Sequence, residues 1–362
     1  MEICHVSSAH GRYDIRIFKK ECCSLAKEGY RVYLIINDNK ENEYIEGVEI
    51  ISTGYVPRNR FDRMANSTKI ILKKALEVDA DIYHLHDPEL LTIVPCLKKK
   101  KKKVIFDSHE DVPAQIVDKQ WVAKRFRKIL AKCYEKYQTY IFFKVDALVA
   151  ATPHIAERIS GKKTVTIVNN YPILDDIIFQ EKPFSERGKI IGYAGSLDEN
   201  RGKNVVLEAM QGIDGTLYFA SKEKLVGDKI VNCGVLDRNG VNELYKQSRM
   251  GIVLYMPLAN HVEAQPIKLF EYMAAGLPVV ASNFPLWQEI VVNNSCGICV
   301  DPCDVSEIQK ACNFLLTNLN EAEKMGKNGR LAVEKSYSWR TEEITLLGLY
   351  QKMCSEDIEP VV

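Results

Sequence analysis

The sequence predicts an α/β fold of two doubly wound domains, each a largely parallel sheet with helices on both faces. Short apolar runs alternate along the chain with stretches of helical period, which is typical of repeated strand–helix–strand units. The chain has 362 residues, too many for one ordinary hydrophobic core. Hydrophobic residues make up 46% and charged residues 27%, which excludes a disordered chain. We therefore expect two domains, residues 1–172 and 173–339.

The first half begins with a predicted strand, loop and helix, which are ICHVSS, AHGRYD and IRIFKKECCSLAKEG. Gly29 ends that helix, because glycine readily adopts the left-handed conformation found at helix C-termini. Further apolar runs predict the other strands of the first sheet, namely RVYLII, ADIYHLH, KVIFDSH, ALVAATP and KTVTIVNNYP.

The second half repeats this alternation after a linker rich in proline and acidic residues, VNNYPILDDIIFQEKPFSERGK. Apolar runs predict its strands, which are KIIGYAGSL, TLYFAS, IVNCG, MGIVLYM and PVVAS. Two stretches of helical period, NVVLEAMQ and NELYKQS, lie between them.

The stretch EAQPIKLFEYMAAGLPVVAS follows the predicted strand MGIVLYM, at the edge where open α/β sheets bind ligands. Pro266 is predicted as the first helical residue, and Gly276 and Pro278 end the helix. The backbone amides around Ala264 and Gln265 would then lie at a helix N-terminus, which attracts anions such as phosphate.

Two charged residues of this predicted helix, Lys268 and Glu271, require an explanation. A carboxylate on an apolar helix is costly unless it is hydrogen-bonded, and it accepts well from the two hydroxyls of a ribose. A cation in the first turn opposes the helix dipole unless an anion binds beside it. The alternative is an ordinary pair of residues three apart, Lys268 with Glu271, on a solvated stripe.

These motifs resemble the retaining nucleotide-sugar glycosyltransferases of glycosyltransferase family 4, in the branch that builds capsule, O-antigen and other surface polysaccharides. Glu263, Glu271, Gly276 and Pro278 match the signature of that family. The stretches HVSSAHGRYDIRIFKKECCSLAKEGYRV, IGYAGSLDENRGKNVVLEAM and YSWRTEEITLLGLYQKM are also similar to it. The resemblance implies the GT-B fold, two Rossmann-like domains that face across a cleft, with a final helix at about residues 340–356 packing on the first domain.

The resemblance also implies roles in the C-terminal domain. Glu271 would hold the donor ribose, and Glu263 would contact the transferred sugar, assisted by amides at Ala264 and Gln265 and by the helix start at Pro266. Arg201 would bind the diphosphate. Ser196 stands where the family often carries a second cation, so we expect either that Lys268 replaces that cation or that the donor is held differently.

In the N-terminal domain, Gly11 matches a glycine loop that approaches the phosphates, and His86 resembles the histidine that faces the sugar. We predict that His84 and His86 point to opposite faces of their strand, so that only one lies in the site. His109 and His10 are weaker candidates, on the acceptor side. The alternative for each histidine is a packed or turn residue without a function in binding.

The function implied is transfer of a sugar from a nucleotide-diphosphate donor, with UDP as the guessed nucleotide, to a lipid-linked glycan with retention of configuration. We expect no cofactor, no metal ligand and metal-independent chemistry. Two alternatives remain: a nucleotide-sugar 2-epimerase of the same fold, and a catalytically silent membrane scaffold. A dehydrogenase is disfavoured, because the first loop lacks the G-x-G-x-x-G pattern.

A basic stretch, KQWVAKRFRKILAKCYEKY at residues 119–137, predicts an amphipathic helix that binds an anionic membrane surface through Trp121, Lys124, Arg125, Phe126 and Lys128. The alternative is a core helix with a solvated basic face. The six lysines at residues 98–103 could add membrane attraction or form a solvated turn. Without a recognition motif, nucleic acid is a poorer partner for these charges.

The sequence shows no secretory signal and no apolar run long enough to span a membrane, so a cytoplasmic protein, peripheral at the inner membrane face, is expected. Eleven cysteines without a disulfide pattern agree with a reducing compartment. The cluster Cys296, Cys299 and Cys303 lacks a fourth ligand nearby, so we interpret it as free thiols rather than a metal site.

Overall fold

The computed structural model describes residues 1–118, 123–161, 163–179 and 182–355. Contacts divide the chain into two compact units: Met1–Asn170 together with Glu342–Val362, and Tyr171–Thr341. The predicted boundary at residue 172 falls beside this division. Each unit is a doubly wound α/β domain, which confirms the predicted fold class.

The N-terminal unit contains an eight-stranded sheet in the order β3-β4-β2-β1-β5-β6-β7-β8. All neighbouring strands are parallel except β3 and β4. The strands are β1 (Glu2–Ser7), β2 (Arg31–Ile36), β3 (Glu43–Ile45), β4 (Val48–Ser52), β5 (Ile82–Leu85), β6 (Lys103–Ser108), β7 (Ala147–Ala150) and β8 (Val165–Ile167).

The first helix of this unit is unusual, because its segment Ile15–Cys22 is π-helical before it continues as α1 (Cys23–Lys27). The Asp14 carboxylate caps it by accepting from the first amides, and Gly29 follows with a φ of +90°, as predicted. The remaining helices are α2 (Arg60–Asp62), a π segment Arg63–Ser67, α3 (Thr68–Val78), a 3₁₀ segment Pro88–Ile93, α4 (Val94–Lys99), α5 (Val112–Asp118), α6 (Lys124–Phe142) and α7 (Pro153–Ile159).

The C-terminal unit contains a six-stranded, fully parallel sheet in the order β11-β10-β9-β12-β13-β14. Its strands are β9 (Ile190–Ala194), β10 (Thr216–Ala220), β11 (Ile230–Asn232), β12 (Met250–Val253), β13 (Val279–Ser282) and β14 (Gly297–Val300). The central strands β12 and β13 are short apolar runs buried on both faces, as parallel strands usually are, whereas the edge strand β11 is largely exposed.

The helices of the C-terminal unit follow the strands in the order that the sequence predicts. Short 3₁₀ segments lie at Leu174–Asp176, Phe184–Glu186 and Glu199–Arg201. The helices are α8 (Lys203–Gly212), α9 (Arg238–Gln247), α10 (Ala259–Val262), α11 (Ile267–Ala274), α12 (Pro285–Val291), α13 (Val305–Thr317), α14 (Leu319–Ser336) and α15 (Trp339–Ser355).

The final helix, α15, begins in the C-terminal unit and continues into the N-terminal one. There the Glu342 carboxylate accepts a 2.7 Å hydrogen bond from the amide of Asn169, and the Tyr350 hydroxyl lies 2.7 Å from Nδ1 of His84. Tyr350 is completely buried, so this helix contributes to the core of the N-terminal unit. Among the described residues, no helix combines the length and apolar composition needed to cross a bilayer.

Each sheet has one topological switch point, where the strand order reverses. In the N-terminal unit the chain builds outward from β1 through β2 and then crosses to β5 on the other side of β1. In the C-terminal unit it builds from β9 through β10 and β11 and then crosses to β12. Loops after strands that flank a switch point form the ligand crevice of doubly wound sheets. We therefore expect ligands to bind at the loops after β1 and β5 in the first sheet and at those after β9 and β12 in the second.

Candidate active site

The loop after β12 and the helix α11 carry most of the predicted donor-binding residues. Pro266 has an extended ψ of 127° and caps α11, so the helix begins at Ile267, one residue later than predicted. The Ala264 amide already donates to the carbonyl of His261 at 3.1 Å, so it is not open as predicted. Glu263 is half-buried, and no described residue donates a hydrogen bond to its side chain.

Gly251 in β12 fixes how α11 packs on the sheet. The ring of Tyr272 fills the space beside this glycine, and a Cβ there would lie 2.4 Å from the ring. Real side chains never approach so closely, so only glycine lets α11 lie this near to β12. The close packing holds Glu271, the preceding residue, at a fixed depth below the surface.

Glu271 is buried, with only 11% of its side chain exposed. Its Oε1 accepts a 2.8 Å hydrogen bond from Nη2 of Arg238, the first residue of α9. Burial opposes the charge of Arg238, but Glu271 holds the pKa of Arg238 above its usual value. Lys268 makes no salt bridge with Glu271, so the alternative of a solvated Lys268–Glu271 pair is wrong.

Lys268 reaches from the first turn of α11 to the loop after β9. Its Nζ donates to the Tyr193 hydroxyl at 2.8 Å and to the Ser196 carbonyl at 3.0 Å, and it lies 4.1 Å from the centre of the Tyr193 ring. Gly195, with a φ of +112°, permits this approach, because a Cβ there would lie 2.9 Å from Cε of Lys268. Burial, assisted by the charge of Arg201, lowers the pKa of Lys268 to about 7.

Arg201 approaches the same loop from the segment Glu199–Arg201, which Asp198 caps. Its Nη1 donates to Oγ of Ser196 at 3.0 Å, and its guanidinium lies 6.0 Å from the centre of the Tyr255 ring. Burial opposes the charge of Arg201, but Tyr255 and Asp198 hold the pKa of Arg201 above its usual value. Ser196 therefore has one cation at its carbonyl and another at its hydroxyl.

Four buried polar atoms around α11 have no hydrogen-bond partner in the part of the chain that the structure describes. They are Nη1 of Arg238, Oε1 of Gln265 and the hydroxyls of Tyr245 and Tyr272. Buried polar groups are usually satisfied, so unpartnered ones beside three cations and two carboxylates indicate a place where a polar ligand binds. The arrangement suits an anion with hydroxyl groups attached.

The loop after β1, in the N-terminal unit, is organised by Asp87. The carboxylate accepts from the Ser7 hydroxyl at 2.8 Å and from the amides of Ser8 at 2.6 Å and Ala9 at 3.1 Å. Its Oδ1 also lies 3.2 Å from Nδ1 of His10. Burial opposes the charge, but His10 and these donors hold the pKa of Asp87 well below its usual range.

His10 and Gly11 follow at the tip of this loop. The His10 side chain is 32% exposed; burial opposes its charge, but Asp87 raises the pKa of His10 above its ordinary value. Gly11 is exposed, and no atom lies within 4 Å of the position that a Cβ would take. The backbone is open there to close approach by a ligand, as the sequence predicts.

The histidines of β5 differ from the prediction. His84 and His86 share one face of the sheet, with ring centres 4.6 Å apart, because residues two apart along a strand point the same way. His86 is buried, with Nε2 2.9 Å from Nδ1 of His5 and Nδ1 3.3 Å from Nε2 of His109. His109 itself is 16% exposed and contacts Asp107 at 2.8 Å. His109 and His10, rather than His86, are the histidines open to solvent.

Below these histidines lies a buried charge network that the sequence analysis did not find. Arg16 makes a bidentate contact with Asp107: its Nε donates to Oδ2 at 3.1 Å and its Nη2 donates to Oδ1 at 3.1 Å. Its Nε also lies 3.1 Å from Oε1 of Glu21. Within the described residues, two groups have the spacing of metal ligands: His5, Glu21, His84 and His86 form one, and His86, Asp107 and His109 form the other. No metal ligand was predicted from the sequence.

Other candidate metal ligands behave as structural residues. The Asp-x-Asp triplet at residues 79–81 precedes β5, at the end of the strand opposite the switch-point loops. Asp79 pairs with Lys102, and Asp81 accepts from the amide of Glu2. The cysteines at 296, 299 and 303 are free thiols that are buried, half-buried and exposed, respectively.

The predicted membrane helix is present as α6, although Trp121 lies outside the described residues and the Lys124 side chain is not described. Arg125, Phe126 and Lys128 are exposed. The helix has a buried face, formed by Ala131, Gln138, Ile141 and Phe142, as the core-helix alternative predicts, while the apolar Ile129 is 60% exposed. Binding to a membrane stays a prediction. Of the six lysines at 98–103, Lys98 pairs with Asp146 and Lys102 with Asp79.

Comparison with known proteins gives two family matches, one for each unit. Residues 19–170 match the family described as Glycosyltransferase Family 4, and residues 175–332 match Glycosyl transferases group 1. Together the two matches cover most of the chain.

Among curated proteins, the chain is 21% identical over 300 residues to the D-rhamnosyltransferase WbpZ of Pseudomonas aeruginosa, covering 75% of each chain. It is 32% identical over 140 residues to a GDP-mannose-dependent alpha-(1-6)-phosphatidylinositol monomannoside mannosyltransferase of Mycobacterium tuberculosis, covering 36% of this chain and 35% of that one. The matches span from about a third to three quarters of these relatives' lengths.

Among solved structures, a sucrose-phosphate synthase from Thermosynechococcus elongatus has a TM-score of 0.79 at 17% identity, covering 98% of this chain and 100% of the other. At that identity the likeness concerns the fold. With two family matches that cover most of its length and two Rossmann-like domains, the chain belongs to the GT-B glycosyltransferases of the group 1 and family 4 type.

Proposed function

We propose that this protein transfers a sugar, with retention of anomeric configuration, from a nucleotide-diphosphate donor bound at the switch point of its C-terminal unit. The observation that carries the proposal is the pair of cations at Ser196, Lys268 from the first turn of α11 and Arg201 from the 3₁₀ segment after β9. Glu271 lies one turn along the helix from Lys268. A diphosphate requires the cations, and the attached ribose offers a diol to the carboxylate.

Each part of the donor then has a partner. Glu271, oriented through Oε1 by Arg238, accepts from the ribose hydroxyls. Glu263 contacts hydroxyls of the transferred sugar, assisted by the Gln265 amide. The helix start after Pro266 and the two cations bind the diphosphate. A carboxylate that is buried and already oriented loses little freedom when it binds a diol, which favours specific recognition over mere attraction.

Transfer breaks the bond between C1 of the sugar and a diphosphate oxygen, so negative charge grows on the diphosphate and positive charge on the sugar ring. Lys268 and Arg201 stabilise the first of these charges electrostatically. Retention follows if the acceptor hydroxyl attacks from the face that the leaving group vacates and a β-phosphate oxygen takes its proton. This route needs no carboxylate base and no metal ion. Equal transfer rates in chelator and in magnesium are expected; a rate restored only by magnesium would contradict metal independence.

The donor site can be tested by calorimetric titration with UDP, GDP and ADP, without knowledge of the acceptor. UDP is our first choice, and the GDP-mannose-dependent relative makes GDP the main competitor. We expect one nucleotide to bind, and Glu271→Ala to weaken it by about 1–3 kcal/mol, as for a buried hydrogen-bonded carboxylate. Glu289→Ala, which removes an exposed carboxylate of the same unit, is the control. Equal affinities of the two variants would contradict the ribose contact.

We place the acceptor at an anionic membrane, as a lipid-linked glycan of surface polysaccharide synthesis at the cytoplasmic face, with His109 and His10 on the acceptor side. The support is α6, which exposes Phe126, Ile129 and Leu130 among cations. Apolar side chains within a basic helix face are what a membrane-surface helix presents.

Vesicle sedimentation tests the membrane surface. Arg125→Glu with Lys128→Glu should weaken binding to phosphatidylserine vesicles by about 1 kcal/mol per charge removed from the membrane surface. Lys69→Glu with Lys73→Glu, an equal charge change on the exposed part of α3, should leave binding unchanged. Equal binding by both variants would contradict the role of α6.

The two alternatives have distinct readouts. A 2-epimerase would convert the nucleotide sugar without any acceptor, whereas a transferase requires one. A silent scaffold would bind no nucleotide in the calorimetric titration. Both family matches are to glycosyltransferases, and Lys268 and Arg201 are positioned at Ser196, so neither alternative is favoured.

A further inference from the structure

A cluster of three histidines and one glutamate lies in the core of the N-terminal unit, below the loops of its switch point. His5 comes from β1, His84 and His86 from β5 and the residue after it, and Glu21 from the π segment Ile15–Cys22. All four are buried. One nitrogen or oxygen from each lies within 4.8 Å of the others.

The separations within the cluster suit a tetrahedral metal ion. Zinc bonds to nitrogen and oxygen are about 2.0–2.1 Å long, which puts the ligand atoms of a tetrahedron about 3.3–3.4 Å apart. Nδ1 of His5 is 2.9 Å from Nε2 of His86, and each of these atoms is 3.8 Å from Oε2 of Glu21. These three distances lie on both sides of the tetrahedral value, and the ligand atom of His84 lies within 4.8 Å of the other three.

The remaining nitrogen of each histidine faces an oxygen atom. The Tyr350 hydroxyl lies 2.7 Å from Nδ1 of His84 and 3.3 Å from Nε2 of His5, and Oδ2 of Asp107 lies 3.5 Å from Nδ1 of His86. Metal-binding histidines are held in this way, with the nitrogen that does not bind the metal facing a carboxylate or another oxygen. The pattern leaves Nδ1 of His5 and Nε2 of both other histidines directed at the centre.

Three atoms of the cluster are buried without a hydrogen bond in the described part of the chain. They are both carboxylate oxygens of Glu21 and Nε2 of His84. Arg16 lies beside Oε1 of Glu21, because π-helical turns bring residues five apart together, but its hydrogen bonds go to Asp107 and the Val168 carbonyl. Buried polar atoms are rarely left unpaired, so these three indicate a missing partner.

We propose that the cluster binds one zinc ion through Nδ1 of His5, Nε2 of His84, Nε2 of His86 and a carboxylate oxygen of Glu21. Four protein ligands without an open position make the ion structural rather than catalytic. It joins β1, β5 and the π segment at the base of the N-terminal switch point. The ion is therefore separate from the metal-independent transfer at Lys268 and Arg201, and its presence does not depend on that proposal.

Elemental analysis of the full-length protein tests this site. The protein is expressed without a polyhistidine tag, in zinc-supplemented medium, and passed over a desalting column. We expect about one zinc per chain, as for a single four-ligand site. His84→Ala and Glu21→Gln should lose most of the metal, and His154→Ala, on α7 of the same unit, should keep it. The proposal would be overturned if the purified wild-type protein contains no metal and, after treatment with a chelator that is then removed, also fails to bind added zinc.

A milder variant covers the case in which loss of a ligand prevents folding. Tyr350→Phe keeps the ring and removes the hydroxyl beside His5 and His84, so we expect zinc affinity, measured by competition with a chromophoric chelator, to fall about 10–100-fold. Tyr83→Phe removes another buried hydroxyl from β5, on the opposite face from His84, and should leave zinc affinity unchanged. Equal affinities in both variants, or equal metal in Glu21→Gln and wild type, would show that zinc binds elsewhere and overturn the assignment.

Discussion

The two switch points of this protein share a topology but differ in how their charges are satisfied. In the C-terminal unit, one cation from α11 and another from the segment Glu199–Arg201 approach the same serine, and buried polar atoms nearby lack partners. In the N-terminal unit, one carboxylate, Asp87, already has three donors and a neighbouring histidine. The edge at Ser196 is incomplete without a ligand, whereas the loop that Asp87 organises, above the histidine cluster, is complete in itself.

The difference shows that the same fold can use the loops of one switch point to bind a ligand and those of the other to stabilise the domain. The parallel sheet fixes only where the loops after β1, β5, β9 and β12 come together, and the loop residues decide what the edge can do. Lys268 has a lowered pKa because it is buried without a carboxylate partner, whereas Arg16 is buried with Asp107. A destabilised charge such as Lys268 gains more from an anionic ligand than a fully buried charge that already has a carboxylate partner, such as Arg16.

The largest expected effect tests the incomplete edge. Lys268→Met keeps the length of the side chain and removes its charge, so the growing negative charge on the diphosphate loses a partner. We expect turnover in a sugar-transfer assay to fall about 10²–10³-fold, the usual cost of losing one preorganised electrostatic partner. Lys310→Met, on the exposed face of α13, should leave turnover unchanged. If the turnover of Lys268→Met stays within a factor of about three of wild type, Lys268 does not stabilise the diphosphate, and the contrast between the two switch points is wrong.

The second prediction tests the complete edge. Asp87→Asn places an amide group opposite the donors of Ser7, Ser8 and Ala9, and it removes charge-assisted hydrogen bonds. We expect the free energy of unfolding of the N-terminal unit, measured in denaturant, to fall by about 2–3 kcal/mol, the scale of buried hydrogen bonds to a charged group. Nucleotide affinity, which belongs to the C-terminal unit, should stay the same. Unchanged stability combined with weaker nucleotide binding would reverse the roles that we assign to the two edges.

The sequence was sufficient for the fold and for part of the C-terminal site. Apolar runs predicted six of the eight strands of the first sheet and five of the six of the second, and they missed β3, β4 and β14. The charge in an apolar helix singled out Glu271, which the structure places in a buried ion pair. Arg238 was missed because its partner is 33 positions away and because the helix was predicted to begin at NELYKQS, whereas Asp237 caps it earlier. A cap of Asp followed by a helix is a signal that could have located Arg238.

The N-terminal network was less predictable, for a physical reason. Nothing in a strand such as ICHVSS shows that its histidine is buried against two others from β5. A sequence pattern with 3.6 residues per turn also does not reveal the π-helical turn of Ile15–Cys22. The contact between Arg16 and Glu21, five residues apart, could therefore not be predicted. Side-chain contacts between residues far apart in the sequence depend on tertiary packing, which local periodicity does not encode.

The third prediction concerns the orientation of Glu271. Arg238→Ala removes the donor to Oε1 and leaves a buried carboxylate without its cation, so nucleotide affinity should fall by about 1–2 kcal/mol in calorimetry, within the usual penalty for an unpaired buried group. In a Glu271→Ala background the same change should cost much less, because the two residues act as a pair. Additive losses in the double variant would show that Arg238 contacts the nucleotide by itself.

The smallest expected effect is a pH dependence that belongs to the C-terminal edge alone. The pKa of Lys268 is about 7 in the free protein, and a bound diphosphate raises it. Only the ammonium form attracts the diphosphate, so affinity is full below pH 7 and falls by at most about tenfold per unit as the pH rises toward the pKa of the complex. Phosphate groups are ionised above about pH 6, so the ligand itself does not produce this fall. Lys268→Arg keeps its charge throughout and should give a flat profile between pH 7 and 9. If wild type and Lys268→Arg follow the same curve, Lys268 does not face the diphosphate, and Arg201 alone distinguishes this edge from the N-terminal one.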